Sequence, residues 1–434
     1  MSARSLLSVV ILMQLVIGTG CRPKSNKVKD NVVDSFVVNT HHLDHLYIPV
    51  TFSDSTHAGG VSIYAEAPDY HLVDATGEGI TCVDDVARAA LVYGRDKNIS
   101  TDSVSPQKLY SLVRFILSMQ SANGCFYNFL LPGGKINTNG KTSINTANWW
   151  SWRALQTLSE LSPLLHKANP SLAKKADSAI TLLITKIKAK LVSMPKNSKL
   201  VERIEVPVWL PSGSATDQSS ILMLGLIHYC TQHPDEEIKN YIRKLADGII
   251  MLQAGDSMHF PYGSFLSWEN VWHAYGSDQS YALMKAGEFL QDTLYVNKGI
   301  AEVAYFYPWL LDQGMLSSFS LRKVGSAYEP FDQQQFPQIA YGIRPMLFSA
   351  IEAYRVTKDE KFARIASRLA AWFTGKNIAG SVMYDFTSGR CYDGILAANK
   401  INRNSGAEST IEALLAMQEL EKFPAIIIAA MHRK

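Results

Sequence analysis

From Thr81 onward, apolar positions recur at helical spacing in one segment after another, and two kinds of segment alternate. One kind is apolar nearly all the way round, as in SSILMLGLIHYC and STIEALLAM. The kind that follows carries charge on one face, as in EEIKNYIRKLADG and DEKFARIASRLAAW. The spacing predicts helices over 84–95, 106–120, 149–164, 170–192, 218–231, 236–252, 279–291, 298–311, 337–356, 360–374, 408–421 and 425–432. A helix without a polar face belongs inside a protein, and one with a charged face belongs on its outside.

The connections alternate as well. Those within a pair are short, while 123–148, 195–217, 254–278, 313–335 and 375–407 are long, and long loops inside a compact domain are usually functional. A less charged helix followed by a charged one, six times at roughly 55–75 residues per unit, reads as a repeat architecture. Helical hairpins wrapped into a closed ring would put the apolar helices inside and all the long loops at one mouth. The expected fold is therefore all-α, an (α/α)6 toroid spanning 41–434, with a short non-helical extension at its start; an unclosed α-solenoid is the competitor. In that extension HLYIPVTF (His45–Phe52) and VSIYA (Val61–Ala65), with Gly59-Gly60 between them, suggest a short hairpin or an extended wrap.

Each inner helix opens on a similar phrase. GEGITCVDDVARAAL is followed by NTANWWSWRAL, ATDQSSILMLGL, GSDQSYALMKAG, FDQQQFPQIAYG and NSGAESTIEALL, a polar, often acid-bearing loop running into an apolar helix. Thr81 with Asp84 and Ser405 with Glu408 fit capping boxes, and Asp217 and Asp278 sit at first-turn positions. Carboxylates placed there are favoured in their ionised form.

Composition adds little to the fold but something to location. With 47% hydrophobic residues and a net charge of +3 spread along the chain, nothing calls for nucleic acid. At the N-terminus, Arg4, the apolar run Leu6–Ile17 and Gly18-Thr19-Gly20-Cys21 have the form of a lipoprotein signal. That reading makes 1–20 a signal peptide, Cys21 the lipidated residue, 21–40 a polar tether, and the domain a periplasm-facing, membrane-anchored one. The other cysteines (Cys82, Cys125, Cys230 and Cys391) are too far apart for a zinc site and are expected as buried free thiols. No metal or other cofactor is expected; the grouping of His41, His42 and His45 lacks the supporting acid pattern.

The chemistry concentrates in the long loops. Six of the eight Trp lie there or in the first turns that follow: Trp149, Trp150, Trp152, Trp209, Trp268 and Trp272. An aromatic mouth suits the apolar faces of sugar rings, although about half of such residues pack the loops instead. Glycosidic cleavage needs a proton donor and a second carboxylate. Glu269, between Trp268 and Trp272, is the expected donor because apolar neighbours raise a carboxyl pKa. Asp85 or Glu408 is the expected base, with Asp84 nearby and Asp278 holding a hydroxyl or a water.

GEGITCVDDVARAAL, NWWSWRAL, WENVWHAYGSDQSYAL, MYDFTSGRCYDGI and NRNSGAESTIEALLAM resemble bacterial proteins of the six-hairpin glycosidase-like superfamily, and within it a group associated with glycan-processing genes. The resemblance covers about Gly60 to the C-terminus. It implies the toroid, a carbohydrate context with an oligosaccharide or glycan as partner, and Asp84, Asp85, Glu269, Asp278, Asp393 and Glu408 as cleft residues. Trp149, Trp150, Trp268, Trp272, His273 and Tyr275 lie in the matched or adjoining segments as candidate sugar contacts; Arg390 and Asn404 would meet an acidic sugar or order their loop. The first functional reading is an inverting glycoside hydrolase. A non-catalytic glycan-binding lipoprotein is the second. A lyase or epimerase of the same toroid class, using His259, His273, Tyr275 or Arg390, is the third.

Overall fold

The computed structural model describes residues 36–97, 105–195 and 197–426. The expected signal peptide, Cys21, the expected tether up to residue 35 and most of the last predicted helix lie outside the described residues. Twelve helices are used below: α1 (His41–Leu46), α2 (Val83–Gly94), α3 (Ser105–Ser118), α4 (Trp149–Ala168), α5 (Pro170–Leu191), α6 (Thr216–Gln232), α7 (Glu236–Met251), α8 (Gln279–Leu290), α9 (Thr293–Asp312), α10 (Ala340–Thr357), α11 (Glu360–Ala370) and α12 (Ala407–Glu421).

The even-numbered helices form the inner ring. α2 packs on α4, α4 on α6, α6 on α8, α8 on α10, α10 on α12, and α12 returns to α2, so the ring is closed. Its members are buried on every side: Thr216–Leu226 of α6 and Ala340–Ala353 of α10 are unbroken runs of buried residues. The odd-numbered partners bury a single stripe, as α7 does with Ile238, Tyr241, Ile242, Leu245, Ala246 and Ile249. This is the (α/α)6 toroid that the alternating helix pairs predict. The solenoid alternative fails at the α12–α2 contact.

The N-terminal segment is more ordered than its pattern suggests. His45 and Leu46 close α1, and Tyr47–Thr51 pairs antiparallel with His57–Val61. Gly59 and Gly60 are therefore strand residues and not the turn. A side chain at Gly59 would strike the Tyr47 ring 2.6 Å away, and one at Gly60 would meet Thr81 at 2.8 Å. The hairpin packs on α3, and α1 on α12, across the closing seam of the ring.

Backbone pairing stitches the long loops together over the N-terminal ends of the inner helices. Thr81–Cys82 pairs with Phe129–Leu130, Ala215 bridges Trp268, Val271–His273 pairs with Ser318–Ser320, and Gln338 bridges Ile395. The last loop returns to the first through Ala407 N–H donating to Ile63 O at 2.9 Å. Loops from distant parts of the chain thus share one mouth.

On the outer wall, Glu302 of α9 is a buried carboxyl that ties α9 to its surroundings. It accepts from Phe265 N (2.8 Å), Ser280 Oγ (2.5 Å) and Tyr307 Oη (3.3 Å). Burial outweighs these donors and pushes its pKa from 4.5 up to about 7. A carboxyl raised in the fold stabilises it most below its unfolded pKa, and that stability is lost as pH rises through the folded value. Stability should therefore fall by about 3 kcal/mol between pH 4.5 and 8 on account of this group. Glu302→Gln should remove that component, as measured by urea unfolding at several pH values; parallel pH profiles for the two proteins would contradict it.

Candidate active site

Charged residues one turn inside otherwise apolar helices meet in the centre of the ring. Arg88 of α2 is 2% exposed, and its guanidinium reaches Asp84 Oδ2 (2.7 Å), Asp85 Oδ1 (2.8 Å) and Glu412 Oε1 (2.8 Å). Glu412 of α12, fully buried, also accepts from Arg344 of α10 at 2.6 Å. Arg344 in turn holds Asp278 at 2.6 Å. Arg153 of α4 stands 3.3 Å from Asp84 Oδ1 and donates to Tyr341 Oη. The Tyr341 ring lies 5.0–5.9 Å from the guanidiniums of Arg88, Arg153 and Arg344. Buried charges survive only where each finds a counter-charge, and here every guanidinium does.

Above this network, at the long-loop end, opens a cavity of about 480 Å³. Asp84, Asp85, Asp393, Glu408, Trp149 and Tyr341 lie among its lining residues. A smaller adjoining cavity of about 250 Å³ shares Asp84, Trp149, Ile339, Tyr341 and Glu408 with it and adds Tyr275. The mouth is thus continuous around the first turns of α2 and α12. Its volume suits one or two sugar rings.

Two carboxyls in it are reachable and close. Asp84 is 24% exposed and Glu408 46% exposed, both to the cavity. Glu408 Oε2 stands 3.6 Å from Arg88 Nη2, the nitrogen that holds Asp84 Oδ2 at 2.7 Å. Among the described residues Glu408 accepts no hydrogen bond. Its depth inside the ring desolvates it, the acids Asp85, Glu412 and Asp84 add repulsion, and Arg88 only partly offsets both, so its pKa rises from 4.5 to about 7. A ligand filling the cavity would remove the remaining water and act in the same direction. Asp85 is also raised, mainly by burial, but Arg88 and the Cys82 thiol (3.2 Å) occupy both its oxygens. Glu412 is lowered because Arg344 and Arg88 outweigh its burial.

The capping expectations are corrected. Cys82, not Thr81, caps α2 by accepting from Asp85 N; Thr81 Oγ1 accepts from Val61 N instead. At α12 it is Asp393 that accepts from Gly406 N (2.8 Å) and Ser409 Oγ (2.6 Å), which leaves Glu408 free for the cavity. Asp278 precedes α8 without a side-chain cap bond and serves Arg344. It faces a second cavity, of about 460 Å³, beyond the ion-pair network.

The structure does not bring Glu269 to Asp85 and Glu408. It lines neither mouth cavity and is ion-paired with Lys199 at 2.5 Å. Trp272 is 1% exposed and stacks on Phe319 at 5.0 Å, a core residue and not a sugar platform. Trp268 is exposed but lines neither cavity. Trp149 and Trp150 do line the mouth, Trp150 with its indole N–H already donated to Phe126 O at 2.7 Å. His273 is buried against Asp217 (3.1 Å) under Tyr275. Arg390 is held by Asp385 and lies over the Tyr70 ring, and Asn404 accepts from Ala67 N; both order their loop rather than meet the cavity. The four cysteines Cys82, Cys125, Cys230 and Cys391 are free and buried, as expected.

Five residues of the network were not among the sequence candidates: Arg88, Arg153, Arg344, Glu412 and Tyr341. The signal of the four charged ones is visible in hindsight as a lone charge in an apolar stretch: VARAAL, WRAL, IRPML and IEALL. Removing one shared anion should be severe. Glu412→Ala, which removes the anion shared by Arg88 and Arg344 and leaves each with only its remaining carboxylates, should lower unfolding free energy by about 3 kcal/mol. At a pH well below 7, where Glu408 keeps its proton and Gln closely replaces it, Glu408→Gln should change it by less than about 1 kcal/mol in the same denaturant titration. Equal effects would contradict the division between supporting and cavity-facing carboxyls.

No family model matches this sequence, and no curated protein does either. Solved structures do share its fold. Cellobiose 2-epimerase from Bacillus thermoamylovorans aligns at 12% identity over 92% of this chain and 100% of that one, with a TM-score of 0.60. The cellobiose 2-epimerase of Spirochaeta thermophila (11% identity, 94% and 100%) also gives 0.60. A D-mannose isomerase (11% identity, 92% and 98%) gives 0.59. This chain shares the (α/α)6 toroid fold of these enzymes.

Proposed function

We propose that this chain is a carbohydrate-active enzyme that cleaves a glycosidic bond with Glu408 as proton donor and Asp84 as the second carboxylate. The observation that carries the reading is the pair itself: two cavity-facing carboxyls on the adjoining helices α12 and α2, both in contact with Arg88 Nη2. Glu408, raised to about 7, holds a proton near neutral pH and can deliver it to a departing sugar oxygen. Asp84, between Arg88 and Arg153, offers negative charge to the anomeric carbon. Because both oxygens touch one nitrogen, at 2.7 and 3.6 Å, they stand closer than the roughly 6.5–9.5 Å of inverting enzymes. In this reading Asp84 itself attacks, giving a covalent glycosyl-enzyme and retention of configuration. Trp149 at the rim supplies an apolar face for a ring.

A second reading, epimerisation or isomerisation at a reducing sugar, is favoured by the end-to-end alignment with enzymes named for those reactions. Against it, no histidine is among the residues lining either mouth cavity. Incubation of oligosaccharides in D2O, followed by NMR, separates the two: cleavage without deuterium at C2 supports hydrolysis, and deuterium at C2 without cleavage rejects it.

Activity should decline as pH rises through about 7, where Glu408 loses its proton. Glu408→Gln should slow turnover of substrates with poor leaving groups by about 10²–10⁴-fold. Asp84→Ala should be inactive, and azide should restore activity by forming a glycosyl azide. Undiminished turnover in either variant would reject the pair.

We also propose that Cys21 carries the lipid that anchors the domain to a membrane, facing the periplasm. The supporting feature is the charged, apolar and small-residue order of residues 4–21. Cys21→Ser should release the protein from the membrane fraction and remove the diacylglyceryl mass from its N-terminal peptide. Continued membrane retention would count against it.

A further inference from the structure

Beside the mouth lies a third, mainly apolar pocket of about 150 Å³. Ala274, Met315, Leu316, Pro337, Gly342 and Ile343 contribute to it, and Tyr275 and Ile339 belong both to it and to the mouth cavity. Two of its four polar side chains, Ser317 and Gln338, are already engaged. Ser317 Oγ donates to Phe336 O at 3.0 Å, and Gln338 donates to Gly314 O at 2.9 Å while accepting from Trp372 Nε1. A sugar hydroxyl placed there would lose water and find side-chain partners only in Ser318 and Tyr275, against a wall that is otherwise apolar. An apolar cavity of this size accommodates a benzene-sized group.

Tyr275 marks the junction. It is 46% exposed, yet its ring is fixed by parallel stacking on His273 at 3.7 Å. His273 is itself pinned between Asp217 (3.1 Å) and Tyr275 O (2.8 Å). An aromatic ring held rigid and left open to a cavity is a pre-organised stacking surface.

We propose that this pocket is a subsite for an aromatic ring attached to the sugar, so that the enzyme acts on aryl glycosides. The inference rests on the mouth being the sugar site, and it names the class of leaving group that the Glu408–Asp84 pair would release. The side pocket takes the ring, with Tyr275 flanking the link between ring and sugar.

Calorimetric titration of the Glu408→Gln protein with matched phenyl and methyl glycosides of common hexoses, in both anomers, tests this without turnover. For the sugar that binds, the phenyl glycoside should bind at least about tenfold more tightly than its methyl partner. Leu316→Trp, a bulky change at a half-buried wall position, should erase that advantage and leave methyl glycoside affinity unchanged. Leu316→Asp, which makes the wall polar without bulk, should act the same way. Equal affinity of each phenyl and methyl pair, or a phenyl advantage that survives both variants, overturns the subsite and leaves the acid–base reading intact. Absence of binding by every glycoside overturns the sugar site and the subsite together.

Discussion

The ion pairs around Arg88 are the constraint on which the rest of the structure depends. A guanidinium in the middle of a helical ring is tolerable only where neighbouring helices bring carboxylates to it. Arg88 draws on its own helix, through Asp84 and Asp85, and on α12, through Glu412. Glu412 then reaches Arg344 on α10, and Arg344 reaches Asp278 at the start of α8. One chain of charge thereby crosses four of the six inner helices and fixes their rotation. Apolar packing alone would tolerate small rotations of smooth, all-round hydrophobic helices; these short bonds do not. The closing contact of α12 with α2, where a ring could open into a solenoid, is the place where the network is densest.

The same network makes a floor. Side chains that satisfy Arg88 from below are consumed by structure, while those at the first turns above it remain open to the mouth. Glu412 and Glu408 illustrate the division on a single helix. They sit one turn apart, yet the first is lowered by two arginines and the second is raised toward neutrality. What separates them is the number of guanidiniums each reaches, not burial as such.

Much of the fold was legible in the sequence because hydrophobic periodicity reports which faces are buried, and the contrast between all-round apolar and one-sided helices reports inner and outer position. The helix starts at Trp149, Pro170, Glu236, Gln279 and Glu360 coincide with the pattern. The site was legible only in part. Asp84, Asp85, Asp393, Glu408, Trp149 and Trp150 reach the cavity because each lies within or beside an inner-helix N-terminus or the loop that docks on it. Glu269 misled because two flanking tryptophans suggest depth. In the fold Trp272 turns into the core, while Glu269, at φ +50°, is held by Lys199. Which side of a loop faces inward depends on pairing between loops, and no local pattern carries that information. Capping failed as a guide for a related reason: the Gly406 N–H at the start of α12 is met by Asp393, further back in the same long loop, not by the acid next in sequence.

The reach of Asp393 back to the start of α12 also explains why Glu408 is available at all. An acid in the first turn of a helix is ordinarily occupied by nearby backbone donors, or favoured as an anion by the helix terminus. Here Asp393 takes the donors of Gly406 and Ser409, and Arg88 is shared among four carboxyls, so Glu408 receives the smallest part of its charge. A carboxyl surrounded by acids, desolvated by the ring and offered only a distant cation is held near neutrality without any apolar sheath. That route to a proton donor differs from the tryptophan-flanked one suggested by the sequence around Glu269, and it depends on the ring being closed.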